Sequence, residues 1–356
     1  MSGVYTASVI GAGSGGHLSL RALAASKRFS IAAVCDIDPD KRERLRAEYP
    51  GIKLYAEYSE MLRTDPTDVV CVSTWAPTHT EIALAALDVG AKGLLLEKPL
   101  ADTCESAERA MTGIKRSGIP VVVPHGLLSL PHSQEILQRV HQGEIGELLL
   151  VEIRNSGWDI INAGIHWLNF FVMLIGEDSV DQVMATCDTS TRTYRDGMQV
   201  ETYAVTSAHT SNGVNLVMTT GDSIPVDARN DRFCVYRIFG TEGMIEFWAF
   251  DSDYRIINPA NPEGRYIAVP KSPRSHHQIA LEKLAEDIDG GRLDYRSLDS
   301  SYAALELCLA AYASHRNRCL VNLPLSEFRP AKAVSEHWEV GVPYGGEGGG
   351  RDGRAL

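Results

Sequence analysis

At 356 residues, the chain is long enough for two domains, each burying its own interior. Its 44% hydrophobic and 22% charged residues exclude a disordered chain, and 34 Lys+Arg against 46 Asp+Glu, a net charge of −12, argue against a phosphate-backbone surface and so against nucleic acid as a partner. No run approaches the roughly 18 apolar residues of a membrane helix, and MSGVYTASVIGAG has no basic segment ahead of an apolar one, so a cytoplasmic protein with no membrane partner is expected.

Over the first 125 residues, short β-branched runs alternate with helical patterns. TASVIGAG, SIAAVCD, DVVCVST, GLLLEKP and IPVVVPH read as strands, several of them apolar throughout, as burial on both faces requires. Between them LSLRALAAS, PDKRERLRAEY, THTEIALAALDVG and ESAERAMTGIKRSG carry apolar residues at three- and four-residue spacing. The rhythm is βαβ, and it predicts an α/β domain over residues 1–125 built on a doubly wound parallel sheet.

The first strand–helix junction reads Gly11-Ala12-Gly13-Ser14-Gly15-Gly16, a G-x-G-x-x-G run in the context that makes it informative for dinucleotide binding in a Rossmann domain. Gly11 permits the tight turn, Gly13 lets backbone approach a pyrophosphate, Gly16 lets helix and strand pack closely, and the helix N-terminus faces the phosphates. Asp36 ends the second strand run, where a carboxylate accepts hydrogen bonds from ribose hydroxyls and repels a 2′-phosphate, so NAD is favoured over NADP despite nearby Lys41 and Arg42. Asp38, ahead of Pro39, is the better candidate for capping the next helix. Glu97, Lys98 and Pro99 fall at the carboxyl end of a buried strand, the edge where ligands bind in such sheets. Spacing alone does not separate a lysine facing a ligand from one reaching solvent.

From Pro131 the pattern changes, and a second domain is expected over residues 126–335. SQEILQRVHQGEIGE reads as a helix, LLLVEIRN as a strand, and INAGIHWLNFFVMLIG as a helix ending at Gly176. Strand signals separated by turns run from Val180 to about Pro270, with a hairpin marked at Asn212-Gly213. They predict an α+β domain with a large, mostly antiparallel open sheet. HHQIALEKLAEDIDGG and SYAALELCLAAYASHR read as helices that pack on a domain face or return toward the first domain. Residues 344–356, dominated by glycine, are expected to form a flexible tail. The seven cysteines are scattered without a C-x-x-C pair and read as reduced core residues, and the His276-His277 pair lacks further ligands at metal spacing, so no metal is predicted.

Several landmarks in order, from Gly11-Ala12-Gly13 through Thr74 and His79, Glu97-Lys98-Pro99, GEIGE at Gly143 to Glu147, Gly164-Ile165-His166 and LAAYASHRNRCLVNLPL, resemble the glucose-fructose oxidoreductase and inositol dehydrogenase (Gfo/Idh/MocA) family. The resemblance implies an NAD-dependent oxidoreductase acting on a hydroxyl or keto group of a sugar, cyclic polyol or glycoside, with Lys98 and His166 as the catalytic residues. It also implies cofactor contacts from Gly11, Gly13, Ser14, Gly15, Gly16, Asp36, Thr74, Trp75, His79, Glu97 and Lys98, a cis Lys98-Pro99 peptide, and a homodimer or homotetramer. The family's aspartate four residues before the histidine is Asn162 here, and Asp159 is a substitute at another helical step. His125, Trp158, Asp159 and Asn162 are candidate substrate residues, since an aromatic face with polar neighbours suits a sugar ring. Two other uses of the same pocket are a glycoside-cleaving enzyme with tightly bound NAD working through a transient keto-sugar, and an NAD-binding regulator without turnover.

Overall fold

The computed structural model describes residues 3–222, 224, 226, 232–326, 328–330 and 350. The chain divides into two compact units: one gathers the described residues up to Pro124 with Arg274–Tyr302, the other His125–Pro273 with the described residues from Ala303 on.

In the first unit the elements run β1 (Tyr5–Ile10), α1 (Ser14–Ala25), β2 (Phe29–Cys35), α2 (Pro39–Glu48), β3 (Lys53–Tyr55), α3 (Tyr58–Thr64), β4 (Val69–Val72), α4 (Ala76–Asp88), β5 (Gly93–Leu96), α5 (Cys104–Ser117) and β6 (Val121–Val122). The six strands are parallel in the order β3-β2-β1-β4-β5-β6. That order reverses between β1 and β4, the switch point where doubly wound sheets bind ligands. Strands β4 and β5 are buried at every position, which is why their sequences VVCV and GLLL show no alternation. The helix ends follow local chemistry: Asp38 accepts from the backbone of Asp40 and Lys41 to cap α2, and Thr103 caps α5 through Ser106 N.

In the second unit α6 (Pro131–His141) leads to β7 (Leu148–Ser156), a five-residue π-helical turn at Ile160–Gly164, and α7 (Ile165–Ile175). Then come β8 (Val180–Asp188), β9 (Tyr194–Arg195), β10 (Met198–Gln199), β11 (Tyr203–Thr210), β12 (Asn215–Gly221), β13 (Cys234–Gly240), β14 (Met244–Trp248), β15 (Asp253–Asn258) and β16 (Asn261–Ala268). After α8 (His276–Gly290), which belongs to the first unit, and α9 (Arg296–Asn317), β17 (Val321–Asn322) is the last strand among the described residues. Nine strands form one sheet, β16-β15-β14-β13-β7-β12-β11-β8-β17, antiparallel except for the parallel β12–β7 pair. Its core is aromatic, with Tyr236 and Phe247 stacked at 4.7 Å and Phe170 edge-on to both. The Asn212-Gly213 hairpin forms as expected between β11 and β12.

Three expectations need correction. The helix read through SQEILQRVHQGEIGE stops at His141, because Gly143 and Gly146 take positive φ and a Cβ at Gly146 would lie 2.2 Å from Thr241 Oγ1. INAGIHWLNFFVMLIG is a π-turn followed by an α-helix rather than one α-helix. Cys319 is exposed, unlike the buried Cys35, Cys71, Cys234 and Cys308. Helix α8 belongs with the first unit, where Leu281, Leu284 and Ala285 join the core beneath β1 and α1. The glycine tail at 344–356 lies outside the described residues, apart from Gly350, which bridges Tyr194.

Candidate functional site

In the first unit, the glycine loop sits at the switch point. Gly11 has φ +93 and N–H donating to Cys35 O, and a Cβ there would lie 2.5 Å from Ser73 O; a Cβ at Gly16 would lie 1.9 Å from Gly11 O. Gly13 is different, for nothing lies within 4 Å of where its Cβ would stand. Helix α1 starts there without a side-chain cap hydrogen bond on its first N–H groups. A fixed turn, an open approach and an uncapped helix start fit a dinucleotide diphosphate. Ser14 is exposed on the first residue of α1, and Gly15 faces Glu97, whose side-chain carbons would be 3.2 Å from a Cβ at Gly15.

Asp36 is buried and holds the loops together: Oδ2 accepts from Ala12 N at 2.7 Å and Oδ1 from Asp38 N at 2.9 Å. Each carboxylate oxygen has capacity for a further donor. The two nearby cations are turned to the same residue, Lys41 Nζ at 3.7 Å from Oδ2 and Arg42 Nη1 donating to Asp36 O at 2.6 Å.

Thr74 and Trp75 form the half-buried turn from β4 into α4, and Thr78 Oγ1 donates to Thr74 Oγ1. His79 is almost fully buried, its Nδ1 2.9 Å from Pro99 O and its Nε2 2.9 Å from Thr74 O. Burial pushes its pKa down. The ring thus braces the β4 turn against the segment after β5, where Lys98-Pro99 is cis. Lys98 is half-buried just beyond β5.

Sequence reasoning did not find the partner of Glu97. His277, in the first turn of α8, lies 180 positions away and places Nε2 2.5 Å from Glu97 Oε1, with both residues buried. Burial works to raise the Glu97 pKa, but the His277 charge and hydrogen bond, with Lys98 and His79, hold it below the usual carboxylate range. His277 Nδ1 is buried without a hydrogen-bond partner among the described residues. The adjacent His276 is pushed down to about 4 by burial and by the charge of His277. A histidine pair beside a serine cap was the sequence signal, and only the fold shows which carboxylate it meets.

In the second unit, the π-turn and α7 carry Asn162 and His166. His166 is half-buried and packs edge-on to the buried His125 ring at 5.2 Å. Asp159 is fully buried and caps the π-turn: Oδ1 accepts from Asn162 N at 2.7 Å and from Asn162 Nδ2 at 3.0 Å, and Oδ2 accepts from Arg195 Nη1 at 2.8 Å. The Arg195 guanidinium lies 4.6 Å from the centre of the Trp158 ring, which is 37% exposed. Behind them Glu201 is fully buried, accepting from Ile160 N, Thr220 Oγ1 and Tyr312 Oη. Burial, then the Asp159 charge, raises its pKa. Arg195 and Glu201 were absent from the sequence expectations. No group of three or more His, Cys, Asp or Glu among the described residues is placed to hold a metal, and no helix there is long and apolar enough to cross a membrane.

A parallel six-stranded sheet with a glycine loop at its switch point defines an NAD-binding Rossmann domain, and residues 6–125 match the model of the oxidoreductase family with that fold. Over those residues the chain matches the Gfo/Idh/MocA oxidoreductases, and it is similar to curated members beyond them. It is 27% identical over 323 residues to the rhizopine catabolism protein MocA of Rhizobium meliloti, covering 85% of this chain and 92% of that one. It is 30% identical over 184 residues to inositol 2-dehydrogenase 2 of Saccharopolyspora erythraea, covering 48% of this chain and 54% of the relative, about half its length. The fold resembles that of an Agrobacterium radiobacter oxidoreductase solved with NAD+, L-tartaric acid and magnesium, at TM-score 0.75 and 19% identity, covering 89% and 98% of the two chains.

Proposed function

We propose that this oxidoreductase uses NAD to move a hydride between a secondary hydroxyl or keto group of a sugar, cyclic polyol or glycoside and the nicotinamide ring. One observation carries the reading: the Glu97-Lys98-Pro99 strand end abuts the glycine loop, with Glu97 against Gly15 and pinned by His277. It supports reading Lys98 as a lysine near the glycine turn at the carboxyl edge of the sheet. The relatives named for inositol and rhizopine support a polyol-like substrate.

When bound, NAD supplies the hydride acceptor. The chain supplies the rest. By the family resemblance, the residue that takes the hydroxyl proton is His166 and the one that sets positive charge against a developing alkoxide is Lys98. The Asp36 carboxylate, already accepting from Ala12 N and Asp38 N, is placed to take the ribose hydroxyls and repel a 2′-phosphate. Trp158 offers a flat apolar face to a sugar ring, while Arg195 holds that face in place.

A panel of inositols, aldoses and glycosides, each offered with NAD and with NADP, tests this by absorbance at the NADH wavelength. Turnover with at least one cyclic polyol or sugar is expected, with NAD preferred by about tenfold or more, the size of one unscreened charge repulsion. Product without net NADH would select instead the glycoside-cleaving use of bound NAD, and silence in both directions would sink the dehydrogenase reading.

We propose a homodimer or homotetramer built on the sheet of the second unit. One row of side chains, Met184, Ser207, Val217, Glu152, Arg237, Glu246, Arg255 and Tyr266, runs in register across eight strands. Met184, Val217 and Tyr266 are exposed at 53%, 40% and 71%, and the alternating Glu and Arg make the row self-complementary under a two-fold axis. Sedimentation should find a dimer or tetramer, and Val217→Asp should shift it toward monomer; a monomeric wild type would remove the proposal.

A further inference from the structure

Asp159 is among the most completely buried acids in the second unit. Both its oxygens are committed, Oδ2 to Arg195 and Oδ1 to the backbone and side chain of Asn162. The Arg195 partner is itself only 2% exposed, so the pair is held out of water on both sides. An ionised carboxylate only accepts hydrogen bonds. Asn162 must therefore turn its NH2 end toward Asp159, which directs its carbonyl oxygen away from the carboxylate.

We propose that Asp159 is a positioning residue that fixes the sense of the Asn162 amide, so that Asn162 presents a hydrogen-bond acceptor to a substrate hydroxyl one helical step before His166. The inference rests on the oxidoreductase reading above and goes beyond it. Asp159 keeps the charge, buried against Arg195, and Asn162 offers the oxygen. A carboxylate hydrogen-bonded to the amide nitrogen polarises that oxygen and makes it the better acceptor. The substrate class narrows accordingly. The ligand is a polyol with a free hydroxyl that donates, rather than a group that can only accept.

The rest of the network bears on Asp159 from every side. Glu201 holds Ile160 N, in the turn that Asp159 caps, and is held in turn by Tyr312 from α9 and Thr220 from β12. Cys187 on β8 has its thiol pKa raised by burial and by the Glu201 charge. Arg192 donates to the Glu201 carbonyl and pairs with Asp222. Arg195 is thus the cation in direct contact with Asp159, and the site has no spare positive charge on it among these groups.

The test is Asn162→Asp in the full chain. It sets a second carboxylate where an amide nitrogen now lies 3.0 Å from Asp159 Oδ1, and two carboxylates that close cannot both ionise. One folded-state pKa is then raised above its unfolded value, so folding takes up a proton. Stability is retained in acid and lost as pH rises through the carboxylate range to that raised pKa. The melting temperature of Asn162→Asp is expected to match wild type at acidic pH and to fall behind it by about 2–5 °C at alkaline pH. Asn162→Ala, which adds no charge, should show a deficit independent of pH. In turnover, Asn162→Asp should gain an alkaline loss of kcat/KM that wild type and Asn162→Ala lack.

A stability difference for Asn162→Asp that does not change with pH overturns the proposal. If that variant does not fold at neutral pH, it should fold in acid, where one of the two carboxyls is protonated, and absence of folding at every pH also overturns the proposal. The melting comparison needs no substrate. A wild type that turns over no polyol would therefore sink the dehydrogenase reading while leaving this inference judged on its own result.

Discussion

Lys98→Ala is expected to lower kcat/KM by about 10³-fold while leaving NAD affinity within about threefold of wild type, since a charge realised at the reacting oxygen acts on the transition state. Lys98 lies just beyond β5, and its neighbours have contacts of their own. Glu97 is held by His277 and lies against Gly15, and His79 spans from Thr74 O to Pro99 O. Truncating the lysine leaves those contacts in place, so melting temperature should change little. Isothermal titration with NAD and steady-state rates on the same preparation separate the two effects. A variant with near-wild-type kcat/KM would remove Lys98 from the chemistry.

The parallel sheet was legible because its strands are apolar without interruption and the helices between them are amphipathic, two patterns that survive in a single sequence. The glycine loop was legible because each glycine answers a local constraint, a positive φ at Gly11 and a close approach at Gly16. The short β3 escaped notice, as a three-residue K-L-Y run carries no period. More of the candidate site escaped for a different reason. His277 meets Glu97 across 180 positions, and Arg195 meets Asp159 across 36. In sequence an arginine, a glutamate or a histidine reads as surface charge, because those types are seldom buried without a partner. Whether a partner exists is decided by how strands and helices pack, and no spacing rule reaches that far. The same holds for α8, whose apolar positions Leu281, Leu284 and Ala285 show a buried face but not the core that receives it.

The glycine loop offers a second large effect, and the contrast between two of its positions separates folding from binding. Gly16→Ala puts a methyl carbon 1.9 Å from the Gly11 carbonyl oxygen. The methyl carbon is fixed to the backbone at the start of α1 and the oxygen belongs to the backbone just after β1, so no flexible side chain can move aside. The helix must shift off the sheet, and the variant is expected to lose about 3 kcal/mol or more of stability together with measurable NAD binding. Gly13→Ala meets nothing within 4 Å, so its fold should be unchanged. The added methyl instead stands on the open side of the loop, where a diphosphate has to approach the backbone. Its NAD affinity should fall by about 10–100-fold at an unaltered melting temperature, the loss of close contacts worth some 1.4–2.7 kcal/mol. Thermal denaturation with and without NAD measures both quantities at once, because ligand stabilisation of the folded state scales with the logarithm of affinity. Wild-type NAD affinity in Gly13→Ala would show that the dinucleotide does not lie on this loop.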